Sequence, residues 1–296
     1  MDFASELKKI AADVDKTLDE MLPKAKWEGD PADVARYGTI DAGKRLRTFL
    51  TVQVGNLFDA PYEQTLRAGA IIETVHNFSL IHDDLPCMDN DRLRRGKPSA
   101  WAKFGERNAV LGGDYLFILA FEILSKDTNI TSDAETKLEL VRALAEASDG
   151  MHIGQYMDCE AEAGKRFQSA EDIEEIQRLK TGQIFLVCAK FGMILGHSKA
   201  SAEQTAAIEK YIAAMGVCFQ QTDDILDATG DESKVGKTLR KDGAAGKATY
   251  VSLLGIEGAR AKAREFADIA KDALNIFDGR ADNLRALIDF FLTRES

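Results

Sequence analysis

Hydrophobic residues recur along much of the chain in steps of three and four, which is the spacing of one face of an α-helix. One such set lies near the N-terminus: Phe3, Leu7, Ile10, Val14 and Leu18. The same spacing predicts helices across residues 66–78, 138–144 and 208–215. No run of strict apolar and polar alternation is bounded by turn signals, so we expect strands to be at most a minor component.

Proline and turn residues divide this helical pattern. All five prolines lie at or before position 98, and because helix interiors tolerate proline poorly, the remainder of the chain favours long helices. Turn-forming residues predict breaks at 23–31, 59–61, 127–133, 164–167, 196–201 and 229–246. None of these breaks has the length or composition of an interdomain linker. The pattern predicts a single all-α domain over residues 1–296, a bundle of roughly ten helices.

The chain is acidic, with 38 Lys and Arg against 49 Asp and Glu and a formal net charge of −11. General binding to nucleic acid or to an anionic membrane is not expected, since both need surplus Lys and Arg. The two most apolar stretches, 115–124 and 184–195, each contain a charge and are too short for stable membrane insertion. Four cysteines without a CxxC pair, and no secretory signal pattern, predict a cytoplasmic protein.

A first acidic cluster carries four aspartates within nine positions: Asp83, Asp84, Asp89 and Asp91. Pro86 is expected to end the preceding helix, which allows Asp89 to fold back towards Asp83. Carboxylates clustered without cysteine partners are hard oxygen ligands of the kind that Mg²⁺ prefers.

A second acidic cluster follows at 223–227, where Asp223 and Asp227 are four positions apart. On a helix this spacing puts both carboxylates on one face, where they repel each other unless a cation lies nearby. A solvated acidic face is the alternative interpretation of this motif taken alone. The apolar residues on either side indicate that the helix is largely buried.

Four cations within the six residues 92–97 come directly after the first acidic cluster. Guanidinium groups match phosphate oxygens in bidentate geometry, so the two clusters together predict a metal-bridged diphosphate site. The alternative is that the clusters neutralise each other on a surface loop. Lysines beside glycines, where the backbone can approach an anion closely, support the diphosphate site. They are Lys44, Lys180, Lys237 and Lys247.

In this order the motifs resemble those of the polyprenyl diphosphate synthases, a family of trans-prenyltransferases, and most closely its bacterial farnesyl diphosphate synthase branch. The matching segments cover nearly the whole chain: GKRLR (43–47), ETVHNFSLIHDDLP (73–86), DRLRRGKP (91–98), GGD (112–114), GQ (154–155) with Asp158, KTG (180–182), FQQTDDILD (219–227) and GKATY (246–250). The resemblance implies the isoprenoid synthase fold, a helical bundle around a deep central cavity, and a homodimer.

The resemblance also implies a role for each matching residue. Metal ligands for about three Mg²⁺ ions per site, with Mn²⁺ as a substitute, are Asp83, Asp84, Asp89, Asp223 and Asp227. The isopentenyl diphosphate site is Lys44, Arg47, His76 and Arg95. The allylic diphosphate site is Arg94, Lys180, Thr181, Gln220, Lys237 and Lys247. Among these, the groups expected to stabilise the carbocation during catalysis are Lys180, Thr181 and Gln220.

Chain length is expected to depend on Phe78 and Ser79. Phe78 lies five residues before Asp83, which on a helix places its ring about 7.5 Å below the metal site. In the family, an aromatic residue here beside a small one accompanies a C15 product, so (E,E)-farnesyl diphosphate is the expected product. The alternatives are a C20 or C10 synthase, and an ordinary core role for Phe78.

Three other classes remain as alternatives. An HD-type metal phosphohydrolase needs more histidines and aspartates in suitable places, and a terpene cyclase normally replaces the second Asp motif. An inactive regulatory subunit should have lost an Asp motif or the Arg pair, and both are present. The chain departs from the family pattern at Thr48, where Pro is common, at Asn90, where an acid is common, and in its tail. The tail offers the single cation Arg294, which leaves its closure over the site open.

Overall fold

Helices form nearly all of the regular structure in the part of the chain that the computed structural model describes, residues 2–41, 43–164, 166–229 and 250–294. The first six are α1 (Phe3–Met21), α2 (Pro31–Thr39), α3 (Leu46–Leu57), α4 (Tyr62–Asp83), α5 (Ala100–Phe104) and α6 (Glu106–Lys126). The other six are α7 (Ala134–Glu162), α8 (Ala170–Gln177), α9 (Gln183–Ile194), α10 (Ala202–Thr229), α11 (Tyr250–Ala273) and α12 (Asp282–Thr293). Two strands of two residues each, β1 (Leu93–Arg94) and β2 (Lys97–Pro98), accompany them. The all-α prediction is confirmed.

The predicted breaks coincide with the ends of the helices. Five of the six turn-rich segments lie between consecutive α-helices, and the sixth, 229–246, lies outside the described residues after Thr229. The turn at 40–45, directly before α3, is not among the predicted breaks. Its described residues include three with positive φ, Asp41 at 53°, Gly43 at 81° and Arg45 at 55°, and this backbone conformation ends one helix and redirects the chain into the next.

The described residues form two compact units, so the prediction of one domain over 1–296 stays a prediction. Unit 1 comprises Met1–Leu144 and Lys190–Ser198. Within it, α4 packs against α1, α2, α3 and α6 and is buried on nearly all sides, as expected of a central helix. The predicted apolar face of α1 is also buried, with Ile10, Val14 and Leu18 fully inaccessible to solvent.

Unit 2 comprises Ala145–Ala189 and Lys199–Ser296, and its principal helix pair is α10 with α11. The buried positions Ile208, Ile212 and Met215 on α10 follow the spacing read from the sequence. Between α8 and α9 the chain forms one wide π-helical turn, Arg178–Gly182. Such turns are rare and are found mostly at functional sites.

One helix among the described residues, α6, is long and apolar enough to cross a membrane by length and composition alone. The apolar stretch 115–124 lies within this helix, which extends over 21 residues. In unit 1, α6 packs against α2, α4 and α5, with Leu116 and Leu124 fully buried. A core helix passes the same test of length and composition.

Candidate active site

The first acidic cluster lies at the C-terminal end of the central helix of unit 1. Asp83 is the last residue of α4 and Asp84 is its C-cap. The backbone N–H of Asp89 donates to the carbonyl of Asp83 at 2.8 Å, and that of Asp91 donates to the carbonyl of Asp84 at 3.1 Å. The loop after Pro86 therefore folds back on the helix end as predicted, and it brings Asp89 beside Asp83.

Arg94 neutralises the most buried carboxylate of this cluster. Asp84 is 2% exposed, and it accepts hydrogen bonds from Nε of Arg94, at 3.0 Å, and from Nη2. Burial alone would lower the pKa of Arg94, but the hydrogen bond to Asp84 and the charges of Asp84, Asp83 and Asp89 raise it. The guanidinium of Arg94 therefore lies beside the acidic cluster. An anion that a cation bridges to these aspartates would also contact Arg94.

The side chain of Arg95 contacts a different part of unit 1 from that of Arg94, because Arg95 occupies the tip of a β-hairpin. Arg95 and Gly96 both have positive φ, at 52° and 74°, which matches the two-residue turns favoured between antiparallel strands. Nη1 of Arg95 donates to Oδ1 of Asn77 on α4 at 3.2 Å. A Cβ atom at Gly43 would lie 3.0 Å from Nη2 of Arg95, so the absence of a side chain at position 43 makes room for the guanidinium.

The charges of four arginines act on His76 in unit 1. Burial lowers the pKa of His76 well below 6.5, and the charges of Arg47, Arg95, Arg94 and Arg45 lower it further. Desolvation and the neighbouring guanidiniums also lower the pKa of Arg95, to about 10. Lys44 is exposed in the turn that leads into this cluster. Positive charges held this close together in a protein of net charge −11 are suited to a polyanionic ligand.

Phe78 lies on α4 and packs against aromatic residues of α6. It is 6% exposed, and its ring centroid is 4.7 Å from that of Phe117 and 4.9 Å from that of His82. Phe117 in turn lies 5.2 Å from Phe121, so three rings follow one another in unit 1. Ser79 adds little bulk, and its hydroxyl donates to the carbonyl of His76 at 2.9 Å.

The second acidic cluster is the C-terminal part of α10 in unit 2. Asp224 and Asp227 are buried, and Asp224 accepts a hydrogen bond of 2.9 Å from Nε2 of Gln220. Asp223 is the more exposed carboxylate, with 39% of its side chain accessible, and it pairs with Nη2 of Arg294. The single cation of the C-terminal tail therefore contacts the second Asp motif.

The π-helical turn in unit 2 presents two of the predicted catalytic residues. Nζ of Lys180 donates to Asp158 on α7 at 2.5 Å, and Oγ1 of Thr181 donates to Oε1 of Gln220 at 3.4 Å. The same four side chains, with Asp224, line a small cavity of about 70 Å³. A Cβ atom at Gly154 would lie 2.3 Å from the backbone N of Lys180, so α7 can approach the turn closely only because position 154 has no side chain.

Comparison with known proteins identifies the family. A sequence model described as polyprenyl synthetase matches residues 32–277. The chain belongs to this family. It is 38% identical to the farnesyl diphosphate synthase of Escherichia coli over 99% of both chains. It is 34% identical to the mitochondrial geranylgeranyl pyrophosphate synthase 10 of Arabidopsis thaliana, over 99% of this chain and 86% of the other.

A solved structure agrees with this assignment. The apo FPP/GFPP synthase of Zymomonas mobilis superposes with a TM-score of 0.88 and 40% sequence identity over 98% of both chains. The polyprenyl synthetase described here therefore has the isoprenoid synthase fold and is a prenyltransferase. The HD-type phosphohydrolase considered above is excluded by this match.

The aspartates of this polyprenyl synthetase do not form a ready-made metal cage. Among the described residues, no three His, Cys, Asp or Glu side chains lie close enough to hold a metal ion by themselves. Arginines provide one reason, since Asp84 faces Arg94 and Asp223 faces Arg294. The donors are nonetheless carboxylate oxygens throughout, which fit Mg²⁺, an ion that usually shares protein carboxylates with substrate phosphates and water. The residues fit the implied metal.

Two predicted residues, Lys237 and Lys247, lie outside the described residues. The sequence indicated no role for several residues that contact or support the predicted site residues: Glu73, Asn77, Gly154 and Asp158. All four belong to matching motifs, so their positions were visible although their contacts were not. Arg294 lies beyond the matched range 32–277, and its contact with Asp223 depends on the tertiary fold.

Proposed function

We propose that this polyprenyl synthetase is a farnesyl diphosphate synthase, which condenses isopentenyl diphosphate with dimethylallyl and then geranyl diphosphate in Mg²⁺-dependent 1'-4 steps. Each step releases inorganic diphosphate. The observation that supports the proposal best is the separation of Arg94 from Arg95 in unit 1. Arg94 pairs with the acidic loop, whereas Arg95 joins the basic cluster around His76. Two adjacent residues can therefore serve two different diphosphates.

We assign the basic cluster to isopentenyl diphosphate. Lys44, Arg47, His76 and Arg95 provide three permanent positive charges and one neutral imidazole, whose low pKa keeps it uncharged near pH 7. A neutral imidazole can donate one N–H to a phosphate oxygen without adding repulsion among the guanidiniums. Isopentenyl diphosphate bound here needs no metal in this assignment, because the cluster alone is cationic.

We assign both Asp motifs to the diphosphate of the allylic substrate. Asp83, Asp84 and Asp89 in unit 1, and Asp223 and Asp227 in unit 2, would hold Mg²⁺, which when bound neutralises charge on the diphosphate as it leaves. Arg94 and Lys180 stabilise the same developing charge, and we include Lys237 and Lys247 with them. The allylic C–O bond then breaks to give a carbocation and diphosphate.

The next step forms the new carbon–carbon bond. Oxygen dipoles of Thr181, Gln220 and the Lys180 carbonyl stabilise the carbocation until the isopentenyl double bond attacks it. The proton lost from the resulting tertiary cation passes to the departed diphosphate. Water would quench the carbocation to an alcohol, so the reaction requires an apolar environment for the prenyl chain.

The aromatic rings of unit 1 favour a C15 product. Phe78 is nearly inaccessible and lies against Phe117, so it can end a prenyl chain that grows past Asp83. Replacing Phe78 by Ala should lengthen the product by about one isoprene unit only, because the Phe117 ring remains directly behind it. The double change Phe78→Ala with Phe117→Ala should lengthen the product further. Chromatographic sizing of the dephosphorylated products measures this, and unchanged length in both variants contradicts a floor at Phe78.

A C20 product is the second candidate, and the 34% identity to a geranylgeranyl pyrophosphate synthase favours it over a C10 product.

We also propose a homodimer. Val110, Leu111 and Ile118 on α6 are between 38% and 62% exposed, and exposed apolar residues on one helix often mark an interface. Sedimentation should then give twice the chain mass of 32.5 kDa. A cytoplasmic location belongs to the same proposal.

Purified protein, Mg²⁺ and isopentenyl diphosphate should be incubated with dimethylallyl, geranyl or farnesyl diphosphate in parallel, with EDTA controls. The proposal expects a C15 product from the first two primers, no extension of farnesyl diphosphate, and no product with EDTA. Extension of farnesyl diphosphate to C20 or beyond retains prenyl transfer but replaces the C15 assignment. Absence of condensation with every primer would instead favour an inactive regulatory subunit.

A further inference from the structure

Glu73 is a buried carboxylate beneath the basic cluster of unit 1. It is 2% exposed and lies on α4, three residues before His76 and four before Asn77. Its Oε1 accepts the backbone N–H of Thr48 at 3.3 Å, in the first turn of α3. Its Oε2 lies 3.6 Å from Nη1 of Arg45. The role of Glu73 has to be structural or electrostatic, because ligand has no access to so buried a group.

Arg45, the partner of Glu73, is also unavailable to a ligand. Its side chain is 0% exposed, and it pairs with Asp15 on α1 and donates to the carbonyl of Thr39 at 2.5 Å. Arg45 lies between Lys44 and Arg47 in sequence and precedes α3 in the left-handed region, with φ of 55°. The pair of Arg45 with Glu73 therefore fixes the turn that leads into the cluster.

The charge of Glu73 also acts on residues that can reach a ligand. Arg45, Arg47 and Arg94 all lower the pKa of Arg95, whereas Glu73 raises it. Asn77, which accepts from Arg95, is itself held by a 2.8 Å hydrogen bond from its amide to the Glu73 carbonyl. A buried carboxylate among several guanidiniums offsets their repulsion before any anion arrives.

We propose that Glu73 is a positioning residue of the isopentenyl diphosphate site, which holds the start of α3 against α4 and offsets the charge of the guanidinium cluster so that Arg47 and Arg95 are in place before the ligand binds. This inference rests on the function proposed above. Glu73 does not touch the substrate. It lowers the cost of ordering the residues that do, and preorganisation of that kind strengthens binding.

The test compares Glu73→Gln with Glu73→Asp and a matched control. Gln keeps the shape and the acceptor for Thr48 but removes the charge, whereas Asp keeps the charge on a shorter side chain. The control is Asp127→Asn, which removes another buried carboxylate that pairs with an α4 arginine, Arg67, at 2.6 Å. Asp127 has no part in the proposed site, so this variant reports the effect of general destabilisation.

Steady-state kinetics with geranyl diphosphate, and calorimetric titration with isopentenyl diphosphate, provide the readouts. We expect Glu73→Gln to raise KM and Kd for isopentenyl diphosphate about tenfold, with kcat and the KM for geranyl diphosphate within about twofold of wild type. Glu73→Asp should raise KM about threefold, and Asp127→Asn should leave both KM values unchanged. A purely structural role would reduce thermal stability without separating the two KM values.

Three results overturn the inference. One is an unchanged or lower KM for isopentenyl diphosphate in folded Glu73→Gln protein, since a carboxylate that merely repels the substrate would give that result. The second is an equal rise in both KM values. The third is a Glu73→Asp variant that is as impaired as Glu73→Gln. If Glu73→Gln does not fold, Glu73→Asp decides the question by the same comparison of the two KM values. Failure of the proposed function is distinguishable, because wild-type protein would then neither condense nor bind isopentenyl diphosphate.

Discussion

The two acidic motifs each pair with one arginine, but the two pairs are built in opposite ways. In unit 1, Asp84 has 3% of its side chain exposed and its partner Arg94, ten residues away, has 23%. In unit 2, the carboxylate of Asp223 is 39% exposed and its partner Arg294 only 7%, and these two residues are 71 positions apart. The buried member is the acid in the first pair and the base in the second.

This difference determines how accessible each carboxylate is to a cation, and what the loss of each arginine costs in stability. Removal of Arg94 leaves an uncompensated charge that water hydrates poorly, because only 3% of the Asp84 side chain is exposed. Removal of Arg294 leaves Asp223 accessible to water, which can hydrate it. Arg294 is instead held by its surroundings: its guanidinium lies 4.4 Å from the ring of Phe219 and donates to Thr222 at 3.0 Å. If the proposed Mg²⁺ binds, it should therefore reach the Asp223 carboxylate with less rearrangement than that of Asp84.

The largest expected effect separates the two arginines directly. Arg94→Gln should lower the free energy of unfolding by about 3–5 kcal/mol, the usual result of breaking a buried ion pair from one side. Arg294→Gln should lower it by only about 1 kcal/mol, because the exposed Asp223 carboxylate is rehydrated. Urea unfolding followed by circular dichroism measures both values.

The control for this pair of variants is Arg178→Gln. Arg178 contacts Glu175 at 2.6 Å with both side chains largely exposed, so its loss should change stability by less than about 0.5 kcal/mol. Equal losses for Arg94→Gln and Arg294→Gln would contradict the comparison, as would a larger loss for Arg294→Gln.

A second variant tests how unit 2 positions its lysine. Gly154→Ala places a Cβ atom 2.3 Å from the backbone N of Lys180, and backbone atoms cannot move aside as a flexible side chain can. The π-helical turn should shift, which moves Lys180 away from Asp158. We expect kcat to fall about 100-fold, since displacement of a catalytic group by about 1 Å has effects of that size. Steady-state rates at saturating isopentenyl and geranyl diphosphate measure it.

Gly182→Ala is the matched control in the same turn. A Cβ atom there would meet only the carbonyl oxygen of Gln177, at an ordinary 3.6 Å, so activity should stay within about threefold of wild type. If Gly154→Ala is fully active, the close approach of α7 does not position Lys180. In unit 1 the KM for isopentenyl diphosphate should be unaffected by either change.

Much of the arrangement around the first motif could be predicted from the sequence because its parts are local. Asp83, Asp89 and Arg94 are separated by a short loop and a hairpin, and Pro86 indicates where the helix ends. Periodicity was equally informative for α1 and α10, whose buried positions repeat every three or four residues. The separation of Arg94 from Arg95 was implied by family resemblance, and its physical cause, positive φ at the hairpin tip, has no clear sequence signal beyond Gly96.

The remaining contacts depend on distant parts of the chain. Nothing in the neighbourhood of Asp223 indicates that Arg294 lies against it, and nothing near Arg45 indicates Asp15 on another helix. Gly154 belongs to a recognised motif, but a side chain is not tolerated there because the backbone of Lys180, 26 positions later, lies against it. Tertiary packing determines these contacts, so single-sequence reasoning could identify the residues of a motif without giving their partners.

The smallest expected effect concerns His76, a titratable group of the basic cluster in unit 1. Its pKa lies well below 6.5 in the folded protein, whereas the unfolded chain binds a proton near pH 6.5. Below that pH the unfolded state binds more protons than the folded state, so stability falls as the pH is lowered. Between pH 7.5 and 5.5 this group alone should account for a loss of at most about 1.4 kcal/mol.

Urea unfolding at pH 7.5 and 5.5 measures the effect in wild type, His76→Gln and His197→Gln. Other groups also titrate over this range, so the informative quantity is the difference between variants. His76→Gln should lose at most about 1.4 kcal/mol less than wild type, because glutamine cannot take up the proton. His197, which is exposed in the folded protein, provides the control substitution. If His76→Gln shows the full wild-type loss, the surrounding guanidiniums do not keep this imidazole neutral, and the cluster of unit 1 is less crowded with charge than its geometry indicates.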